Sequence, residues 1–143
     1  MVAAAALARL SLTDRADEIL GVSVMLPQVG QGAIAVECRD DDAGVNDLIR
    51  ALDHHPTRTA VECERSFLAR LGGGCDLPVG AYARASEDTA GEHKISVEAM
   101  LATADGRVML KSRAEGPAAS AAELGGGLAD ELLASGGVEL LAG

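Results

Sequence analysis

The chain has 143 residues, a formal net charge of −10 and a pI near 4.6, a length that suits one domain or one domain with pieces of another. That acidity excludes a phosphate-binding surface of clustered cations and opposes docking on anionic lipid, so neither a nucleic-acid nor a membrane partner is expected. An acidic ligand would have to be drawn by a few local arginines, whose planar fork suits carboxylates.

Phe67 and Tyr82 are the only aromatic residues, so the core must be assembled from Ala, Leu and Val. The three cysteines, Cys38, Cys63 and Cys75, form no CxxC pair. An odd, scattered set fits a reduced, cytoplasmic protein better than a disulfide scaffold, and no metal site is expected. The apolar opening of the chain lacks a preceding basic region and is interrupted by Arg9, which argues against a secretory leader.

In chain order, residues 2–12 predict a short helix, apolar on nearly all sides and therefore buried against other elements. A chain that starts within such a helix reads as cut from a longer one. Residues 13–30 hold Gly21, Pro27 and Gly30 and read as a loop with one helical turn. Ala33-Ile34-Ala35-Val36 is a continuous apolar run, the pattern of a strand covered on both faces. Asp40-Asp41-Asp42 then caps a helix from about Ala43 to Leu52, an acidic start that the helix dipole favours.

His54-His55-Pro56 separates that helix from a second one, with Pro56 in its first turn. Adjacent histidines point apart, so a solvated turn outweighs a metal pair. Ala60, Cys63, Phe67 and Leu71 share one face of the second helix, and Gly72 stops it. Arg58, Glu62 and Arg65 lie opposite, spaced for an ion-pair ladder.

Beyond the glycines the period becomes two. Val79, Ala81 and Ala83 form one strand face, Ile95, Val97, Ala99 and Leu101 the next. Asp105-Gly106 marks a hairpin, with Val108 and Leu110 on the return strand. Ala121, Leu124, Leu128 and Leu132 predict a covering helix over 118–134, although Gly125-Gly126-Gly127 lies inside it without a sequence-level reason. The fold class is α+β: a small three-stranded antiparallel sheet covered by helices, preceded by partial α/β segments.

Cys75 ends the run Leu71-Gly72-Gly73-Gly74-Cys75, an open turn between helix and sheet. Gly73 and Gly74 remove side-chain bulk, so a large group can approach the sulfur. A helix carboxy terminus and the adjacent Asp76 disfavour a thiolate, so a reacting Cys75 needs a strong electrophile rather than an activated sulfur. A flexible connector with an incidental cysteine is the plain alternative. Cys38 and Cys63 read as small buried hydrophobes.

Two stretches carry a resemblance. Leu26-Pro27-Gln28-Val29-Gly30-Gln31-Gly32-Ala33-Ile34-Ala35-Val36-Glu37-Cys38-Arg39 resembles the hinge-and-strand segment of porphobilinogen deaminase, or hydroxymethylbilane synthase. Glu64-Arg65-Ser66-Phe67-Leu68 with Leu71-Gly72-Gly73-Gly74-Cys75-Asp76-Leu77-Pro78-Val79-Gly80-Ala81 resembles that family's cofactor-attachment loop. Order, spacing and identity agree over essentially the whole chain.

The resemblance implies a transferase that condenses four porphobilinogen molecules into a linear tetrapyrrole with release of ammonia. It implies a dipyrromethane cofactor bound by thioether to Cys75. It also implies carboxylate-binding arginines at Arg39 and Arg65 and a hinge at Gln31. On the same resemblance, residues 1–32 close a second domain, 33–52 return to a first, and 53–143 form the cofactor-bearing third. The family's catalytic aspartate lies in an amino-terminal half with no counterpart here, so no catalytic residue is assigned. The expected partners are porphobilinogen, the growing pyrrole chain and that missing half, without which the chain is expected to be inactive. Gly72 stands where many members have glutamate, and Asp76 where an uncharged residue is frequent. A reading from another class is a non-catalytic tetrapyrrole-binding or protein-interaction module built on residues 53–143.

Overall fold

A computed structural model describes residues 2–72, 78–87 and 90–142. Its packed part is a three-stranded antiparallel meander in the order β1 (Val79–Glu87), β2 (His93–Ala102), β3 (Met109–Pro117). The period-two pattern does what it predicts. Ala81 and Ala83 on β1 and Ile95, Val97, Ala99 and Leu101 on β2 are buried. Ala81 sits opposite Ala99, and Leu101 opposite Leu110.

The hairpin between β2 and β3 is closed by the Thr103 N–H donating to the Val108 carbonyl at 2.9 Å. The Asp105 carboxylate accepts from the Thr103 hydroxyl and the Arg107 N–H, which hold it below its ordinary titration range. Val108 was expected on the return strand but lies in this turn, half exposed, and β3 begins one residue later.

Helices α3 (His55–Leu71) and α4 (Ala121–Leu132) cover one face of the sheet; the two before them are α1 (Ala4–Arg9) and α2 (Ala43–Arg50). Cys63, Phe67 and Leu71 on α3 meet Ala121, Leu128, Ala129 and Leu132 on α4 above the buried strand residues. Gly72 ends α3 at φ 71°, the left-handed conformation that glycine adopts without a Cβ clash. After α4 the chain kinks at Gly136, whose φ of 108° is not helical, and continues into a short α5 (Val138–Ala142).

The glycine triplet now has a physical account. A Cβ on Gly125 would lie 2.0 Å from the Cys63 carbonyl oxygen and 3.2 Å from the Phe67 nitrogen. The two helices therefore approach backbone to backbone at Gly125. Around that contact the Ser66 hydroxyl donates to the Ala122 carbonyl at 2.7 Å, and Arg70 grips Asp130 through two hydrogen bonds of 2.7 and 3.0 Å. That grip holds the Asp130 carboxyl below its ordinary range and raises the Arg70 guanidinium. Gly127, by contrast, faces open space.

Two expectations fail. The helix near the amino terminus forms as α1, but none of its residues is buried. The apolar run 33–36 is not a strand: Ile34 is 93% exposed and Val36 54%. A strand needs a neighbouring ladder for its N–H and C=O groups, and among the described residues none lies beside this run. The capped helix is realised as α2, where Asp42 accepts the Val45 N–H at 3.1 Å. Its Leu48 points outward, as does Leu52 beyond its end.

Substitution at the triplet separates its members. Gly125→Ala should destabilise the chain by about 3 kcal/mol or more through backbone overpacking, and Gly127→Ala should stabilise it by about 1 kcal/mol through helix propensity. Urea unfolding of both variants measures the difference; equal effects would show that the helices do not meet at Gly125.

Candidate functional site

The segment 26–32 reaches the packed domain along the free edge of β1. Leu26 is buried, and Val29 packs against the core. The Ala81 N–H donates to the Pro27 carbonyl at 3.1 Å. Two residues along the same edge, the Ala83 N–H donates to Glu64 Oε1 at 2.8 Å. The other oxygen, Oε2, accepts the Gly30 N–H at 2.7 Å. Gly80 lets the segment cross closely, since a Cβ there would meet the Pro27 carbonyl at 3.0 Å. An edge strand that would otherwise expose donors is thus covered.

Glu64 is 6% exposed. Burial raises its pKa above the ordinary 4.5, while the Ala83 and Gly30 N–H groups pull it back down. Glu64 opens the motif Glu64-Arg65-Ser66-Phe67-Leu68, which by itself assigns it no role. The available signal was its position: four residues after Ala60 and three before Phe67, it is a carboxylate on the packed stripe of α3.

Gln31 follows the clasped Gly30 and is exposed; its N–H donates to the Gln28 carbonyl at 3.0 Å. Gly30 and Gly32 both have positive φ, 70° and 86°, so the turn that presents Gln31 depends on glycine at both sides. Beside it opens a shallow recess of about 330 Å³, lined by Gln31, His54, Thr57, Glu64, Tyr82 and Arg84 among others. His54 Nδ1 and the Thr57 hydroxyl are 2.7 Å apart, a local bond at the start of α3. A larger recess of about 470 Å³ lies between His93, Glu115 and Pro117, at the far end of the sheet from Val79.

Arg65 is exposed on α3, seven residues before Gly72, or about 10 Å along the helix axis. Its expected ladder does not form: Arg58 pairs with Asp53 instead, and among the described residues no ion pair joins Arg58, Glu62 and Arg65. Arg39 lies apart from the recess, exposed, with its guanidinium 3.2 Å from Asp42. Cys75, Gly73 and Gly74 lie outside the described residues, as does Asp76. The flanks of their loop are described: the Gly72 stop of α3 and Pro78, which leads into β1.

Cys63 is fully buried, and its pKa is pushed up to about 11 by desolvation and the neighbouring Glu64 carboxylate, with the Gly125 N–H acting the other way. It is a packing residue, as expected. Cys38 is only partly buried and donates to Asn46 Oδ1 at 3.2 Å, so it caps local structure rather than filling a core. Among the described residues no helix is long and apolar enough to cross a membrane.

Residues 58–134 match the family model described as porphobilinogen deaminase, C-terminal domain, and residues 1–47 match that described as porphobilinogen deaminase, dipyromethane cofactor binding domain. The chain belongs to the porphobilinogen deaminase family, a family of transferases. It is 44% identical over 143 residues to the porphobilinogen deaminase of a Roseiflexus species and 42% identical over 142 residues to that of Desulforudis audaxviator. With the Synechococcus elongatus enzyme it shares 38% over 141 residues. These matches cover 99 to 100% of this chain but only 42 to 45% of each relative, so the chain spans less than half the length of the relatives it matches.

The raised Glu64 pKa has a defined sign. The folded chain binds this proton more readily than the unfolded chain, so Glu64's contribution to stability is greatest below 4.5 and falls as pH rises through the higher folded value. Thermal unfolding of the wild type and Glu64→Gln across that window should show the wild-type advantage shrinking with rising pH, then levelling. An advantage that grows with pH would contradict the buried placement.

Proposed function

We infer that this chain is the carboxy-terminal, cofactor-bearing part of a hydroxymethylbilane synthase. It acts in condensing four porphobilinogen molecules into a linear tetrapyrrole, once joined to the amino-terminal half. The observation that carries the reading is the pair of family matches in chain order, the second of which contains a cysteine that follows a glycine-stopped helix and precedes the first strand. Cys75 falls within the match to the C-terminal domain, whereas the model named for the cofactor covers 1–47. The attachment at Cys75 therefore rests on the loop motif, with the 1–47 region contributing contacts to the bound pyrroles.

The donor set fits such a group. A dipyrromethane carries acetate and propionate carboxylates, and Arg65 presents an exposed guanidinium about 10 Å along α3 from the loop. Arg39 offers a second one, paired among the described residues with the Asp42 carboxylate. The chemistry the cofactor supplies when bound is a pyrrole terminus to which further pyrroles are added. Attachment forms a C–S bond at the aminomethyl carbon as its C–N bond breaks, and the thiol proton leaves with the ammonia. A thiol that follows a helix carboxy terminus suffices for this, because the electrophile is reactive.

Residues 1–32, 33–52 and 53–143 are read as the end of a second domain, a return to the first, and the third. Support comes from burial: among the described residues, every buried hydrophobic side chain apart from Leu26 falls in 53–143. The exposed apolar residues Ile34, Val36, Leu48 and Leu52 lie in the segment assigned to the first domain. Such a segment wants the strands and helices of the amino-terminal half. The self-contained core of 53–143 is the one feature that also suits a non-catalytic tetrapyrrole-binding module.

Intact-mass analysis of the chain assembled with an amino-terminal half and porphobilinogen should show a two-pyrrole adduct that Cys75→Ser abolishes. An adduct surviving in that variant would remove the attachment assignment. In the same assembly Arg65→Ala should reduce kcat/KM about tenfold or more, the effect of one charge-assisted hydrogen bond. Unchanged kinetics would return Arg65 to an ordinary surface role.

A further inference from the structure

Glu64 is the buried charged group that the functional reading leaves unused. Its two carboxylate oxygens each take one backbone donor, and the donors come from segments far apart in sequence: Gly30 at 2.7 Å and Ala83 at 2.8 Å. The carboxylate itself rides on α3. One side chain therefore joins the helix, the free edge of β1 and the glycine turn. A simple buried carboxylate needs only its lone pairs satisfied, and donors from within one element would serve. This one spans the junction between the packed domain and the exposed segment that begins at Ala33.

The neighbours give the junction its meaning. Gln31 follows Gly30 directly, and Arg65 follows Glu64 directly. Holding Gly30 against Glu64 therefore sets the spacing of Gln31 from Arg65 and from the helix that leads into the Cys75 loop. Beyond the clasp, Gly32 at φ 86° makes no contact that a Cβ would disturb. The turn itself is closed across Gly32, because the Ala33 N–H donates to the Gly30 carbonyl at 3.1 Å, so the clasp at Gly30 also fixes where residues 33–52 leave the packed domain.

We propose that Glu64 is a positioning residue, clasping the Gly30 turn to α3 and β1 so that Gln31 stays registered with Arg65. The proposal rests on the functional reading above. It requires a carboxylate, because both oxygens accept. A glutamine has one accepting oxygen, and its NH2 would be set against the second backbone N–H, so it can serve Gly30 or Ala83 but not both.

The test has a structural and a kinetic arm. In NMR titration of this chain, the Gly30 and Ala83 amide resonances should move together with one common midpoint above the ordinary glutamate range. The other titratable or charged groups around Glu64 are Cys63 and Arg65 beside it on α3, His54 at the head of that helix, and Tyr82 and Arg84 on β1. Glu64→Gln should abolish the common titration and release one of the two amides to fast hydrogen exchange. Amides that titrate apart, or not at all, overturn the clasp, and the wild-type titration decides this even where the variant folds poorly.

The kinetic arm uses a chimera in which this chain replaces the matching residues of the Roseiflexus relative. Glu64→Gln should lower kcat about tenfold or more and remove an acid limb whose midpoint equals the NMR one. A kcat and pH profile unchanged in a variant that has lost the clasp overturn the positioning role. A wild-type chimera without porphobilinogen turnover instead sinks the functional reading, and the positioning role with it, while the titration still judges the clasp.

Discussion

The packed half of this chain depends on a backbone contact: the Cys63 carbonyl of α3 lies where a Cβ of residue 125 would be. Helices with side chains between them keep axes about 8–10 Å apart. Removing the Cβ lets α3 and α4 close further, and their shared face then buries Phe67, Leu128 and Leu132 over a sheet made largely of alanine and valine. A core with one buried aromatic ring has little volume to spare. The close crossing compensates for the small side chains, and the Arg70–Asp130 pair and the Ser66–Ala122 bond hold it on the solvent side.

From that crossing follows the geometry of the loop-bearing end. α3 is fixed against α4 and β1, so its carboxy terminus at Gly72 and the start of β1 are fixed as well. The two described flanks of residues 73–77 are thus both held by the packed core. Glu64 adds the third attachment. Its carboxylate is desolvated, yet both oxygens are satisfied by backbone donors, which is the condition under which a buried charge is tolerated.

Net charge and ligand charge have the same sign under this reading. An acidic chain that holds a polycarboxylate must rely on near-field contacts, since the overall field repels. Arg39 and Arg65 are both exposed, and among the described residues Arg39 pairs with the Asp42 carboxylate near the surface. A surface ion pair of that kind contributes little and is readily exchanged. The arginines that do structural work, Arg58 and Arg70, are committed elsewhere.

Much of the fold was legible in the residues. Alternation marked β1 and β2 because one sheet face is buried, and Gly72, Asp42 and Pro56 marked helix ends through local backbone chemistry. The elements that misled were those whose outcome depends on a partner. Ile34 and Val36 have the composition of a strand, but strand formation is a property of a pair, and α1 has the composition of a buried helix with nothing buried on it. The contacts of Glu64 and Gly125 were unreadable for the same reason: the donors to Glu64 lie 19 and 34 residues away, and Gly125 meets the distant Cys63 carbonyl. The sequence by itself determined most of the local elements and the family, because those follow from near-neighbour patterns. Only the tertiary structure decided how closely the helices cross and which carboxylate anchors the glycine turn, because both depend on contacts between segments distant in the chain.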